Sequence, residues 1–100
     1  MNKNLIRQAQ QMQAQLAKAQ EELENATVEG SSGGGVVKVV ASGKQLIQSI
    51  TLDPSVVDPN DIDLLEDLVL AAINDALVRS QQVAQERLGA ITGNLKIPGM

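Results

Sequence analysis

The sequence predicts an α+β fold of order α-β-β-β-α, a three-stranded antiparallel meander flanked by two long helices. Three observations carry this expectation. Residues 2–26 and 61–88 hold no glycine and no proline, and each repeats apolar residues at helical spacing. Residues 27–52 are rich in β-branched side chains and are broken by Gly33-Gly34-Gly35 and by Ser42-Gly43-Lys44, both turn-forming runs. The chain then forms one domain over residues 1–88, with residues 89–100 as a mobile C-terminal tail, since Gly89, Gly93, Pro98 and Gly99 interrupt any period there.

The first helix is expected over residues 2–26. Leu5, Ala9, Met12, Leu16, Ala19 and Leu23 step by four and three, a heptad seam. The other positions are polar and rich in glutamine, and the regular seam argues for helix over a disordered polar tract. Lys3, Arg7 and Lys18 fall within roughly 60° of one another, nearly opposite the seam. Glu21, Glu22 and Glu24 close the helix. That order opposes the helix dipole and costs a few tenths to ~1 kcal/mol per charge. A feature that works against local stability points toward a use for those cations.

Three strands are expected next: Thr27–Ser32, a central strand built on Val36, Val37, Val39 and Val40, and Gln45–Leu52. In the last of these, Leu46, Ile50 and Leu52 share one face, and Ile47 breaks the alternation. Residues 53–60 read as a loop with two Asp-Pro turns, which Val56 and Val57 would pin to the core.

The second helix is expected over residues 61–88. Asn60, Asp61 and Asp63 are all cap-forming types, and Asp63 with Glu66 fits a capping box. Arg79 and Arg87 come late and Gly89 suits the C-terminal cap. Ile62, Leu65, Leu68, Val69, Ala72, Ile73, Ala76 and Val83 form one stripe, and Leu70, Leu77, Ala84 and Leu88 a second. Together they cover an arc of roughly 200°. So wide a face calls for a sheet and for another helix, in this protomer or a second copy. Leu65, Leu68, Val69, Ala72, Ile73 and Ala76 are the expected dimer contacts. At about 40 Å the helix exceeds the diameter of a compact 100-residue domain, so part of it is expected to protrude.

Composition narrows the function. The chain has no Cys and no His, which removes thiol chemistry, imidazole bases and ordinary zinc sites. It has no Phe, Trp or Tyr, so its core is aliphatic and favours help from oligomerisation, and base stacking on single strands loses its platform. No apolar run is long enough to span a membrane and no secretory signal is evident, so the cytoplasm is the expected compartment. The triple glycine lacks phosphate-loop spacing, the carboxylates lack EF-hand spacing, and no serine has a histidine partner. Neither an enzyme, nor a metal, nor another cofactor, nor a small-molecule substrate is expected.

Net charge is −4, yet its distribution is uneven. Antiparallel helices would carry Lys3, Arg7, Arg79, Arg87, the α-amino group and Lys96 toward one end, and the acids of both helices toward the sheet. A local basic field of that kind binds polyanions despite an acidic total. Lys3, Arg7, Lys18, Arg79 and Arg87 are therefore the candidate contacts to the phosphates of double-stranded DNA. Two protein-binding readings stand beside this one, a prefoldin-like clamp and a helical adaptor.

The runs QAQQMQAQLAKAQEEL, GGGVVKVVASG, ITLDP, LEDLVLAAINDA and the closing IPGM, spread over the whole chain, resemble the YbaB/EbfC family of bacterial nucleoid-associated proteins. The resemblance implies a tweezer-like homodimer whose sheets form the body and whose helices form arms. It also implies DNA binding with little sequence preference, and roles in nucleoid organisation and gene regulation. In this chain helix 1 is poorer in Lys and Arg than such a role suggests, with Gln where cations could stand.

Overall fold

The structure, a computed structural model, describes residues 2–92. Its elements follow the expected order: α1 (Lys3–Asn25), β1 (Thr27–Ser32), β2 (Val37–Ser42), β3 (Ile47–Leu52), a single 3-10 turn (Pro54–Val56) and α2 (Ile62–Thr92). The three strands pair antiparallel in the order β1-β2-β3. The body is long and thin, 69 × 27 × 17 Å, with a radius of gyration of 19.5 Å. A compact chain of this length would have about 13 Å.

Each boundary has a local cause. The Asn2 side chain caps α1, accepting from the Asn4 N–H at 3.0 Å. Gly33, Gly34 and Gly35 all take positive φ in the β1–β2 hairpin, which side chains resist. The second hairpin closes on Ser42, whose hydroxyl accepts from the N–H groups of Lys44 and Leu46. Gln45 takes a left-handed φ of 66° there, so it belongs to the turn, and β3 begins two residues later than the sequence suggests. Asp53 caps the 3-10 turn through the Ser55 N–H. For α2 the cap is Asp61, which accepts from the Leu64 N–H at 3.3 Å; Asp63 lies inside the first turn.

The expected stop at Gly89 is passed, and α2 runs on to Thr92. A glycine inside a helix costs about 1 kcal/mol. Here Ala90 and Ile91 border a cleft whose other wall is α1. The expected mobile tail thus loses residues 89–92 to the helix; the remainder, with Leu95, Lys96 and Ile97, lies outside the described residues.

α2 lies across β1 and β2. Val37, Val39 and Ala41 of β2 are fully buried against Ala72 and Ala76, with Leu68, Val69, Ile73, Val28 and Val56 packed around them. Gly30 of β1 sits directly beneath the helix, where an added Cβ would meet backbone atoms of Ala72 and Ala76. The Ser80 hydroxyl, fully buried, donates to the Ser42 carbonyl at 2.6 Å and ties the helix to the end of β2.

A bulge explains the broken alternation of β3. Val37, Val39 and Ala41 face α2, and their partners are Leu52, Ile50 and Ile47; the register shifts between Val40 and Ala41. Ile47 therefore joins Ile50 and Leu52 on the α2 side of the sheet. The helix does not reach that far. Every residue of β3 is exposed, so a row of isoleucine and leucine stands uncovered beside a buried core.

α1 runs antiparallel to α2 and lies beside it along its C-terminal half. Leu23 and Ala19 are buried, Leu16 and Met12 half-buried, and Ala9 and Leu5 exposed. The seam is thus covered progressively toward its C-terminal end. The end of α2 runs beside the second half of α1, where Arg87 meets Glu22 and Ile91 borders the same cleft as Gln15, and the first half of α1 is exposed.

Candidate nucleic-acid interface

The sequence-derived cations separate into two groups. Arg79 donates from Nε to Asp75 at 3.2 Å, and Arg87 donates to Glu22 at 3.0 Å. Lys44 likewise pairs with Glu24 at 2.9 Å. Lys3, Arg7 and Lys18 make no ion pair among the described residues, and neither does Lys38. All four of these side chains are exposed.

The expected gathering of Lys3, Arg7, Arg79 and Arg87 at one end does not occur. Arg87 meets Glu22, which lies about 28 Å along α1 from Lys3 at 1.5 Å per residue. Arg79 lines a shallow cleft with Val28, Glu29, Gln82, Val83 and Glu86, against the sheet. The cause is the limited overlap of the helices, which leaves their ends far from level. Lys18 and Arg87 do converge on one cleft of about 450 Å³ between α1 and α2, whose lining also includes Glu22 and Glu86. The charges in that cleft cancel. Lys96 and the α-amino group of Met1 lie outside the described residues.

What remains is a basic arm on an acidic body. The first half of α1 carries Lys3 and Arg7 and no acid in its first turn. At the other end of the molecule Asp53, Asp58, Asp61, Asp63, Glu66 and Asp67 are exposed around the start of α2. Lys38 is a further exposed cation that the sequence-based selection passed over. Its signal was available in the alternation of β2, which buries Val37 and Val39 and turns Lys38 to the opposite face.

Of the residues expected at a dimer contact, most pack within the protomer. Ala72 and Ala76 are fully buried under their own sheet, and Leu68, Val69 and Ile73 pack on the same core. Leu65 is half-buried. The stripe is the inward face of α2, because the strands of the same chain lie beneath it. The large apolar side chains left open include those of β3, Leu46 in the turn before it, Leu5 and Ile6 of α1, Val57, and, on α2, Ile62, Leu64, Leu70 and Val78.

Asp75 fastens α2 to the edge of the sheet. One carboxylate oxygen accepts the Ser31 N–H at 3.0 Å and the other accepts from Arg79. The Ser31 N–H lowers its pKa below the ordinary carboxylate value; desolvation opposes this and the Arg79 pair adds to it. Asp53 is lowered in the same way by the Ser55 N–H. A depressed carboxylate contributes stability above its unfolded pKa, about 3.9, and loses it as pH falls through the folded value. Denaturant unfolding followed from pH 6 to pH 3 should therefore show stability falling below about pH 4. Asp75→Asn should flatten part of that fall, leaving the share due to Asp53.

No group of acids that could hold a metal ion occurs among the described residues, and no described helix is long and apolar enough to cross a membrane. Fold and surface together define a small α+β binding protein with one helix held out as a charged arm. The chain belongs to the YbaB/EbfC DNA-binding family, whose family model matches residues 1–95. It is 56% identical over 100 residues to a nucleoid-associated protein of Desulforamulus reducens, covering 100% of this chain and 94% of the relative. It is 53% identical over 94 residues to a nucleoid-associated protein of Chloroflexus aggregans, covering 94% of each. The crystal structure of an uncharacterised Helicobacter pylori protein superposes with a TM-score of 0.74 at 21% identity, over 96% of this chain and 99% of that one. That likeness shows the same fold.

Proposed function

We propose that this protein binds double-stranded DNA as a homodimer, with little sequence preference, and acts in the nucleoid in DNA organisation and gene regulation. The observation that carries the reading is the arm. Lys3, Arg7 and Lys18 are exposed, make no ion pair among the described residues and share one side of α1; Lys3 and Arg7 stand on the half that leaves the acids behind, while Lys18 borders the cleft that holds Glu22 and Glu86. Phosphates are the natural counterpart of cations placed this way. Arg79 and Arg87 are secondary contacts, since each must first give up a carboxylate. Few base-edge contacts are expected, because no cluster of Asn or Arg occupies a groove-sized face of the arm.

Dimerisation accounts for the open row of β3. Ile47, Ile50 and Leu52 lie on the α2 side of the sheet but beyond the edge of the helix, and β3 is a free edge strand. Edges of this kind are either protected or paired. A second copy seated there would cover the apolar row and double the cations that meet one duplex. It would also offset the small area that a core without aromatic residues buries.

Fluorescence anisotropy with a random-sequence duplex at several salt concentrations tests the binding. Log affinity should fall linearly with log salt at about 0.9 per phosphate neutralised, with similar values for unrelated sequences. Sedimentation of the same protein across a dilution series should show a dimer. Absence of binding at low salt would instead favour a helical adaptor or clamp for a protein partner.

A further inference from the structure

The cleft between α1 and α2 holds two cations in different states. Lys18 makes no ion pair among the described residues, while Arg87 donates to Glu22 at 3.0 Å. Lys18 lies about 17 Å beyond Arg7 on the same side of α1, so it marks the inner end of the row of cations proposed to meet phosphates. A strand that meets Lys18 brings further phosphates, one per ~3.4 Å of helix axis, to the mouth of the cleft. Arg87 is the next cation there, and Glu22 already cancels its charge.

The Glu22–Arg87 contact is open to exchange. The two side chains are 45% and 44% exposed, so water and salt compete with the pair. Among the described residues the Glu22 carboxylate takes no other hydrogen bond, and nothing else fixes it beside Arg87. Asp75, which holds Arg79, differs in this respect. Its second oxygen accepts the Ser31 N–H, which keeps that carboxylate in place next to its cation.

We propose that Glu22 is an internal competitor of the DNA backbone: it occupies Arg87 in the free protein, gives it up only in part to a strand that meets Lys18, and so holds the affinity down. The inference rests on the DNA-binding reading and adds to it a regulating residue and a gated contact. The guanidinium changes partner from carboxylate to phosphate, and the released carboxylate, already half exposed, completes its hydration. Because the two anions compete, the Arg87–phosphate contact is incomplete in the wild type, and so is its share of counterion release.

Fluorescence anisotropy of the full chain with a random-sequence duplex, over a salt series, tests the gate. Glu22→Gln should bind about fivefold more tightly at about 0.1 M salt and steepen the log–log slope by up to about 0.9 per protomer, the share of one phosphate. Glu21→Gln removes the same charge from an exposed neighbour that has no ion pair among the described residues. Its gain should be smaller and its slope that of the wild type. In an Arg87→Gln background, Glu22→Gln should add nothing to the slope. Melting temperatures should stay close to the wild type, since an exposed pair contributes little to stability.

Wild-type binding with an unchanged slope in Glu22→Gln would overturn the gate and leave the DNA-binding reading in place. A steeper slope that survives the loss of Arg87 would also overturn it, as would an equal effect from Glu21→Gln, which would reduce the matter to net charge. A Glu22→Gln protein that melts well below the wild type and binds more weakly would make Glu22 a fastener of α1 instead. If neither the wild type nor Glu22→Gln bound the duplex at low salt, the DNA-binding reading itself would fall and the gate with it.

Discussion

Gly30→Ala is expected to destabilise the fold by about 3 kcal/mol or more, near or beyond the upper end of overpacking costs. A Cβ at this position would lie 2.3 Å from the Ala76 nitrogen, 2.6 Å from the Ala72 carbonyl oxygen and 2.7 Å from the Ala76 Cα. These are backbone atoms of α2, so no side-chain rotation relieves the contact. The helix must lift from β1, and in doing so it uncovers Val37 and Val39, both fully buried. Thermal unfolding should register the change as a drop of more than about 10 °C, at roughly 4–8 °C per kcal/mol. Gly34→Ala supplies the contrast. Its Cβ would meet nothing within 4 Å, while its φ of +76° strains a side chain. That change should cost only about 1–2 kcal/mol. If the two variants proved equally stable, the close seating of α2 on β1 would be wrong.

Lys3→Glu combined with Arg7→Glu should weaken DNA binding about tenfold or more at moderate salt and reduce the salt slope by about 1.8 per protomer. Reversal both removes two phosphate contacts and adds repulsion. The fold should not suffer from the change. Both residues are exposed and make no ion pair among the described residues, and the first turn of α1 holds no acid. Glutamates placed there would favour the helix dipole by a few tenths of a kcal/mol each. A variant at least as stable as the wild type that still loses affinity isolates the charge. Unchanged affinity would show that the arm does not meet the duplex. Arg79→Gln should change affinity less, since Asp75 already occupies that guanidinium.

Much of this architecture is legible in residue order. Stretches free of glycine and proline became α1 and α2, and the glycine triplet became the first hairpin. Those signals are local, set by backbone preferences of a few residues. The apolar stripe of α2 was equally visible, but a stripe names a buried face without naming its neighbour. Ala72 and Ala76 are buried against the sheet of their own chain. The bulge of β3 was present only as an anomaly at Ile47, since one inserted residue reverses the facing of every side chain beyond it.

The arm shows the same division. Lys3, Arg7 and Lys18 were visible as exposed cations because helix periodicity is local. Arg79 and Arg87 were not separable from them by spacing. Their partners, Asp75 and Glu22, become decisive only when the offset between α1 and α2 is known. That offset depends on how the strands and both turns add up.

The separation of charge along the 69 Å axis has a consequence for crowding on a polyanion. Cations stand on the projecting end and carboxylates gather around the start of α2. Such a molecule is an electric dipole, and the field of a duplex turns it arm-first before the two touch. Seated by its arm, as proposed, it would show its carboxylates to the solvent. A duplex coated in this way is negative again on its outside, so a second layer is repelled and neighbouring coated duplexes stay apart. On the proposed reading, the acidic total of this chain limits its own accumulation.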